Sequence, residues 1–113
     1  MKEYCFFNNV KERLKSKILP RLYTYTYKND DNKVYVGSTT YPLSYRKRCH
    51  YKDCYVLNKN TKFYSFVKNN GGFENFKLEL YGEYQGISKN ELIQKEKELI
   101  RKKGTLNSNY KLL

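Results

Sequence analysis

The chain has 113 residues and a net charge of +12, from 23 Lys and Arg against 11 acids. That length allows one domain with a modest core and excludes a catalytic domain joined to a second large one. With 39% hydrophobic residues it is too apolar for a disordered tail. The charge points to a polyanionic partner, nucleic acid first and anionic membrane second, against the plainer reading of a lysine-rich surface.

Residues 2–18 carry Phe6, Phe7, Val10, Leu14 and Ile18 near a 3.6 period, which predicts a basic amphipathic helix ended by Pro20. It reads as an N-terminal extension over residues 1–20. Its apolar stripe suggests a cover for the core; Lys11, Arg13, Lys15 and Lys17 offer phosphate contacts as the functional alternative. Residues 21–37 predict a β-hairpin. Leu22 to Tyr27 alternates as a strand, Asn29-Asp30-Asp31-Asn32 is a turn cluster, and Val34-Tyr35-Val36 returns to Gly37. Tyr23, Tyr25 and Tyr27 share one face of the first strand.

Ser38, Thr39, Thr40 and Ser44 are candidate N-caps for a short helix over 43–52, which sets Arg46 and His50 one turn apart. A polar loop over 53–60 and a second helix over 61–69 follow, the helix with Phe63, Phe66 and Val67 inward and ended by Asn69-Asn70-Gly71-Gly72. Phe76 to Tyr81 alternates as a third strand. Ser88, with Glu91 at the capping-box position, starts a last helix over about 89–102, stopped by Gly104. The expected fold is an α/β sandwich: a three-stranded, mainly antiparallel sheet flanked by helices, with the extra N-terminal helix.

Two features bear on chemistry directly. Glu96 lies among Leu92, Ile93, Leu99 and Ile100, on the side of the last helix that should be apolar. A carboxylate there is costly without a partner or a metal. Cys49-His50-x3-Cys54 supplies at most three zinc ligands, on a segment that reads as helix, so a zinc site is disfavoured. Three cysteines, an odd number, and an N-terminus without an apolar signal core predict an intracellular chain, in cytoplasm or nucleus, with reduced thiols. No run approaches the ~18 apolar residues of a membrane span.

Six segments in order resemble the GIY-YIG nuclease family. They are Arg21-Leu22-Tyr23; Tyr35-Val36-Gly37, 11 residues further on within KVYVGST (33–39); Leu43-x2-Arg46-x3-His50; Phe73-Glu74-Asn75-Phe76; Leu92-x3-Glu96-x3-Ile100; and Leu106-Asn107. The first segment lacks the family's Gly, and Ser38 or Thr39 stands where some members carry Lys. The resemblance implies a nuclease domain over 21–113 and a DNA endonuclease, of homing, repair or restriction type, that uses one Mg²⁺ or Mn²⁺ and no small-molecule cofactor. It implies catalytic roles for Tyr23, Tyr35, Arg46 and His50, with Glu96 holding the metal. Gly37 and Asn107 would support the site, and Lys33, Ser38, Thr39 and Lys47 would contact substrate. Tyr25 can replace Tyr23 with a shorter hairpin loop, and Asn109 can take the place of Asn107. A nucleic-acid-binding module without catalysis is the alternative function. The oligomeric state, monomer or transient dimer, is left open.

Overall fold

The computed structural model describes residues 18–107. The helix expected over 2–18 lies outside that range, apart from Ile18, which is exposed and not helical. Three strands form one antiparallel sheet in the order β2-β1-β3: β1 (Arg21–Tyr27), β2 (Val34–Thr39) and β3 (Phe76–Glu83). The helices are α1 (Leu43–Tyr51), continued by a π-helical turn over Lys52–Val56, then α2 (Lys62–Asn69) and α3 (Lys89–Lys103), with a 3₁₀ turn at Phe73–Asn75 before β3. The expected α/β sandwich is the fold observed.

β1 is central, with a partner on each edge, and packed clusters cover both of its faces, so its alternation sorts residues into two layers. Tyr23, Tyr25 and Tyr27 turn toward one layer, where Cys54, Phe63, Tyr64, Val67 and Phe76 pack with them. Leu22 turns the other way, with Val34 and Val36 of β2, against Leu92, Leu99 and Ile100 of α3. Between Leu22 and Tyr23 the register against β3 shifts by one residue, which leaves Tyr81 of β3 as the extra, bulged residue.

The helix starts show which local signals prevail. α3 has the full capping box: Glu91 N–H donates to Ser88 Oγ at 3.1 Å, and Ser88 N–H donates to Glu91 Oε1 at 2.7 Å. Thr61 caps α2 through Tyr64 N–H at 3.1 Å. α1 instead starts from Pro42 with no side-chain cap. None of the four expected hydroxyl residues fills that role, and Thr39 Oγ1 accepts from Tyr41 N–H in the turn before it. The segment expected as a loop from residue 53 winds on as a π turn to Val56. Leu57 N–H still bonds back to Lys52 O at 2.9 Å, and Asn58, at φ 51°, then breaks the winding.

The tail after α3 seals the open edge of β2. Leu106 N–H donates to Val34 O at 2.9 Å and Val34 N–H to Thr105 Oγ1 at 2.9 Å. The buried Asn107 amide then pairs with both backbone groups of Val36, at 2.9 and 2.8 Å. Edge groups that would otherwise be open to pairing with another chain are thereby satisfied. Cys49 is disulfide-bonded and Cys54 is a free, buried thiol, so the expectation of reduced thiols fails at Cys49.

Candidate active site

Cross-strand register brings Tyr23 opposite Gly37 and Tyr25 opposite Tyr35. The absence of a side chain at Gly37 is required there, because a β-carbon would collide with the Tyr23 ring and hydroxyl. The Tyr23 phenol therefore lies across the end of β2. His50, from α1, meets it: Tyr23 Oη and His50 Nε2 are 2.6 Å apart. The other ring nitrogen, Nδ1, is 2.7 Å from the hydroxyl of Tyr64 on α2. Tyr23, His50 and Tyr64 are all buried, and with both ring nitrogens engaged His50 is not available to zinc. Among the described residues no three His, Cys, Asp or Glu side chains gather as a metal cluster.

Aromatic rings hold the imidazole in place. Tyr35 stacks face to face on Phe63 at 4.1 Å and meets His50 edge-on at 5.6 Å; Tyr25 meets His50 edge-on at 5.5 Å. The Arg46 guanidinium, one turn before His50 on α1, acts on Tyr23, Tyr25, Tyr64 and His50 alike. Burial pushes the Tyr23 phenol well above its usual pKa, while Arg46, also hydrogen-bonded to it, draws it back. Burial pushes His50 well below the ordinary imidazole value, and Arg46 adds to that fall. His50 is thus neutral at pH 7. Since Tyr23 accepts from Arg46, the simplest proton assignment has Tyr23 donating to Nε2 and Nδ1–H donating to Tyr64.

Of the two tyrosines that the alternation leaves open, Tyr23 and not Tyr25 meets His50 through its hydroxyl. The Tyr25 hydroxyl is buried without a hydrogen-bond partner among the described residues. Glu96 approaches β2 from the α3 layer. It is half-buried, and its Oε1 accepts from Ser38 Oγ at 2.7 Å. Tyr23 and Glu96 thus flank consecutive residues of β2, Gly37 and Ser38, from opposite layers. A single half-buried carboxylate fits a hard cation that keeps its waters and takes substrate oxygens, such as Mg²⁺ or Mn²⁺.

The remaining expected residues divide. Lys47 is exposed on α1. Ser38 and Thr39 are buried and hydrogen-bonded within the protein. Lys33 is exposed at the hairpin turn, about 13 Å along the strand from Gly37. Tyr64 was not foreseen. Its place next to Phe63 in a helix that covers the core gives no local sign of a bond to His50.

A three-stranded α/β domain with a buried Tyr–His–Tyr set and an arginine on one layer, and a carboxylate reaching the same strand end from the other, defines the class. The GIY-YIG catalytic domain matches residues 21–111. The chain belongs to the GIY-YIG family, whose members are nucleases, hydrolases of phosphodiester bonds, and in general need a divalent metal. No curated protein and no solved structure matches the chain. No helix among the described residues is long and apolar enough to cross a membrane.

Proposed function

We propose that residues 21–113 form a DNA endonuclease dependent on one divalent ion, Mg²⁺ or Mn²⁺. The observation that carries this reading is the 2.6 Å bond between Tyr23 and a neutral His50, set in the field of Arg46. A buried phenol joined to a neutral imidazole is a proton relay. As the attacking water gives a proton to Tyr23 Oη, Tyr23 passes its own proton to His50 Nε2. The water oxygen bonds to phosphorus, and the phosphorus–oxygen bond to the leaving group breaks. The concerted shift leaves Tyr23 neutral and puts the positive charge on His50, so no phenolate has to form in a buried site. Tyr64, by accepting from Nδ1–H, keeps Nε2 as the accepting nitrogen.

Arg46 binds the phosphate with a guanidinium fork and balances charge as it develops. Tyr35, half-buried beside His50, orients the water or the phosphate. Lys47 contacts the neighbouring backbone, and Glu96, steadied by Ser38, holds the cation, which would supply charge at the phosphate and at the leaving oxygen. One site cuts one strand at a time, so a double-strand break takes a second copy or a second event.

A second reading is nucleic-acid binding without cleavage. It is favoured by one observation, that Tyr23 is sealed from solvent, with 0% of its surface exposed. Incubating supercoiled plasmid with Mg²⁺, Mn²⁺ or EDTA separates the two. Nicking with metal and none with EDTA is the expected result, and Glu96→Ala should abolish it while largely keeping DNA binding. Binding without nicking in either metal would sink the nuclease reading, and full activity in Glu96→Ala would sink the role of Glu96.

A further inference from the structure

Beyond the buried site, α1 and its π continuation bring a second aromatic pair to the surface. Tyr51 is 58% exposed and Tyr55 37%, their ring centroids 4.7 Å apart with the planes tilted by 55°. Tyr55 is anchored: its ring meets Phe73 edge-on at 5.9 Å, and its oxygen accepts the Phe73 backbone N–H. Tyr51 is the more exposed of the two, and among the described residues the ring it meets is that of Tyr55.

Facing the pair is a wall of bare backbone. Gly71 and Gly72 stand at φ +89° and +92°, where side chains are strained, and a β-carbon at Gly72 would press toward the Tyr55 hydroxyl. The cleft between holds about 260 Å³ and is lined by Tyr51, Tyr55, Gly71, Gly72, Phe73 and Glu74. That is smaller than the ~300–1,000 Å³ of drug-sized ligand sites, the scale of one planar ring system.

Charge around the cleft is sorted. Lys47 and Arg48 are exposed on α1, and Lys47 lies one turn before Tyr51. Inside the cleft stands Glu74, also exposed. A carboxylate repels phosphate but accepts hydrogen bonds from the amino edge of a base. Cations on the rim, an acid within and an aromatic face beside it suit a nucleotide whose phosphate stays outside and whose base enters. Arg46 and Tyr51 are five residues apart on one helix, a rise of about 7.5 Å. Around the axis they lie about 140° apart, so a strand held at Arg46 reaches the cleft by passing round the helix.

We infer that this cleft receives an unpaired nucleobase flanking the scissile phosphate, stacked on Tyr51. The inference rests on the reading of Arg46 as the phosphate ligand. It names the substrate class: nucleic acid with unpaired nucleotides at the cut, because a base inside an intact duplex is stacked on its neighbours and cannot enter.

Binding of fluorescent oligonucleotides to the full chain in EDTA tests it without cleavage. The probes are a single strand, a duplex with a single-stranded flap, and a fully paired duplex. Tyr51→Ala should weaken the first two by about 5- to 100-fold and leave the duplex nearly unchanged. Tyr51→Phe, which keeps the ring, should restore wild-type affinity. Equal losses on all three probes, no loss on any, or an altered oligomeric state in Tyr51→Ala in place of altered affinity would overturn the cleft. Failure here is separable from failure of the nuclease reading. If the protein cuts plasmid while Tyr51→Ala binds single strands normally, only the cleft falls. If single-strand affinity depends on Tyr51 but nothing is ever cut, the base-binding cleft stands, while the nuclease reading and the cleft's place beside a scissile phosphate fall.

Discussion

The two layers of the sheet are built from different chemistry. On the α3 side, Leu22, Val34, Val36, Leu92, Leu99 and Ile100 meet hydrocarbon to hydrocarbon. Burial there stabilises by area alone and asks for no hydrogen-bond partners. On the α1–α2 side the same depth of burial is filled with Tyr23, Tyr25, His50 and Tyr64, whose polar atoms must be matched or left at a cost. Three of those four are matched to one another in a chain, Tyr23 to His50 to Tyr64. The fourth, Tyr25, keeps a buried hydroxyl without a hydrogen-bond partner among the described residues. A core that needed only stability would have no use for that arrangement. The aliphatic layer holds the sheet, and the polar aromatic layer holds the hydrogen-bonded chain proposed as a relay, with Arg46 beside it.

The largest expected effect separates the members of the polar layer. Tyr23→Phe keeps the ring and removes the hydroxyl at the head of the relay, so metal-dependent cleavage should fall by about 10²- to 10⁴-fold. Tyr25→Phe, one β-strand repeat away, removes a hydroxyl that bonds to none of the described residues; activity should persist and stability should hold or rise by about 1 kcal/mol. Parallel plasmid-cleavage rates and urea midpoints for the two variants check this. If Tyr25→Phe is the inactive one, the roles of the two tyrosines are exchanged.

The aliphatic layer should respond the opposite way. Leu99→Ala opens space under α3 and should cost about 2–5 kcal/mol of stability, read as a fall in the urea midpoint. At a temperature where the variant stays folded, its cleavage rate per folded molecule should stay within a few-fold of wild type. A loss of activity on the scale of Tyr23→Phe would mean that the two layers are not separable and that α3 does more than hold Glu96 in place.

Most of the scaffold was legible because it rests on local rules. Alternation over 22–27, the turn cluster at 29–32 and the Ser88–Glu91 box each decide a short segment by themselves, and each reappears as an element. Glu96 was legible for a different reason: one acid in an apolar stripe needs a partner, and it has Ser38. What stayed hidden depends on distance or on unusual winding. Tyr23 and Tyr25 share a face, so period two cannot rank them; only the packing of α1 puts the His50 ring nitrogen at one hydroxyl and not the other. Tyr64 looks like any core tyrosine of a helix until α2 is folded against α1. The π turn over 52–56 follows i→i+5 bonds, which no 3.6-residue pattern reveals.

The smallest expected effect isolates the middle of the polar chain. His50 is the sole histidine among 113 residues, so pH dependence near 6 can be assigned to it. Burial, with Arg46 as a second cause, holds its folded pKa well below the ordinary value of about 6.5 that it regains on unfolding. Between those two pKa values the unfolded chain binds the proton and the folded one does not, so stability rises with pH across that window. The contribution is complete above about pH 6.5 and is lost as pH falls toward the folded pKa, at up to about 1.4 kcal/mol per pH unit. Carboxylates, with ordinary values near 4, contribute mainly lower down. Urea midpoints at pH 7.5, 6.5, 5.5 and 5.0 should therefore be level between the first two and then decline. In His50→Gln the decline over pH 6.5 to 5.0 should largely disappear, even if the variant is less stable throughout. An unchanged slope would mean that His50 titrates alike in the folded and unfolded chains, and the burial-held neutral imidazole on which the relay rests would lose its support.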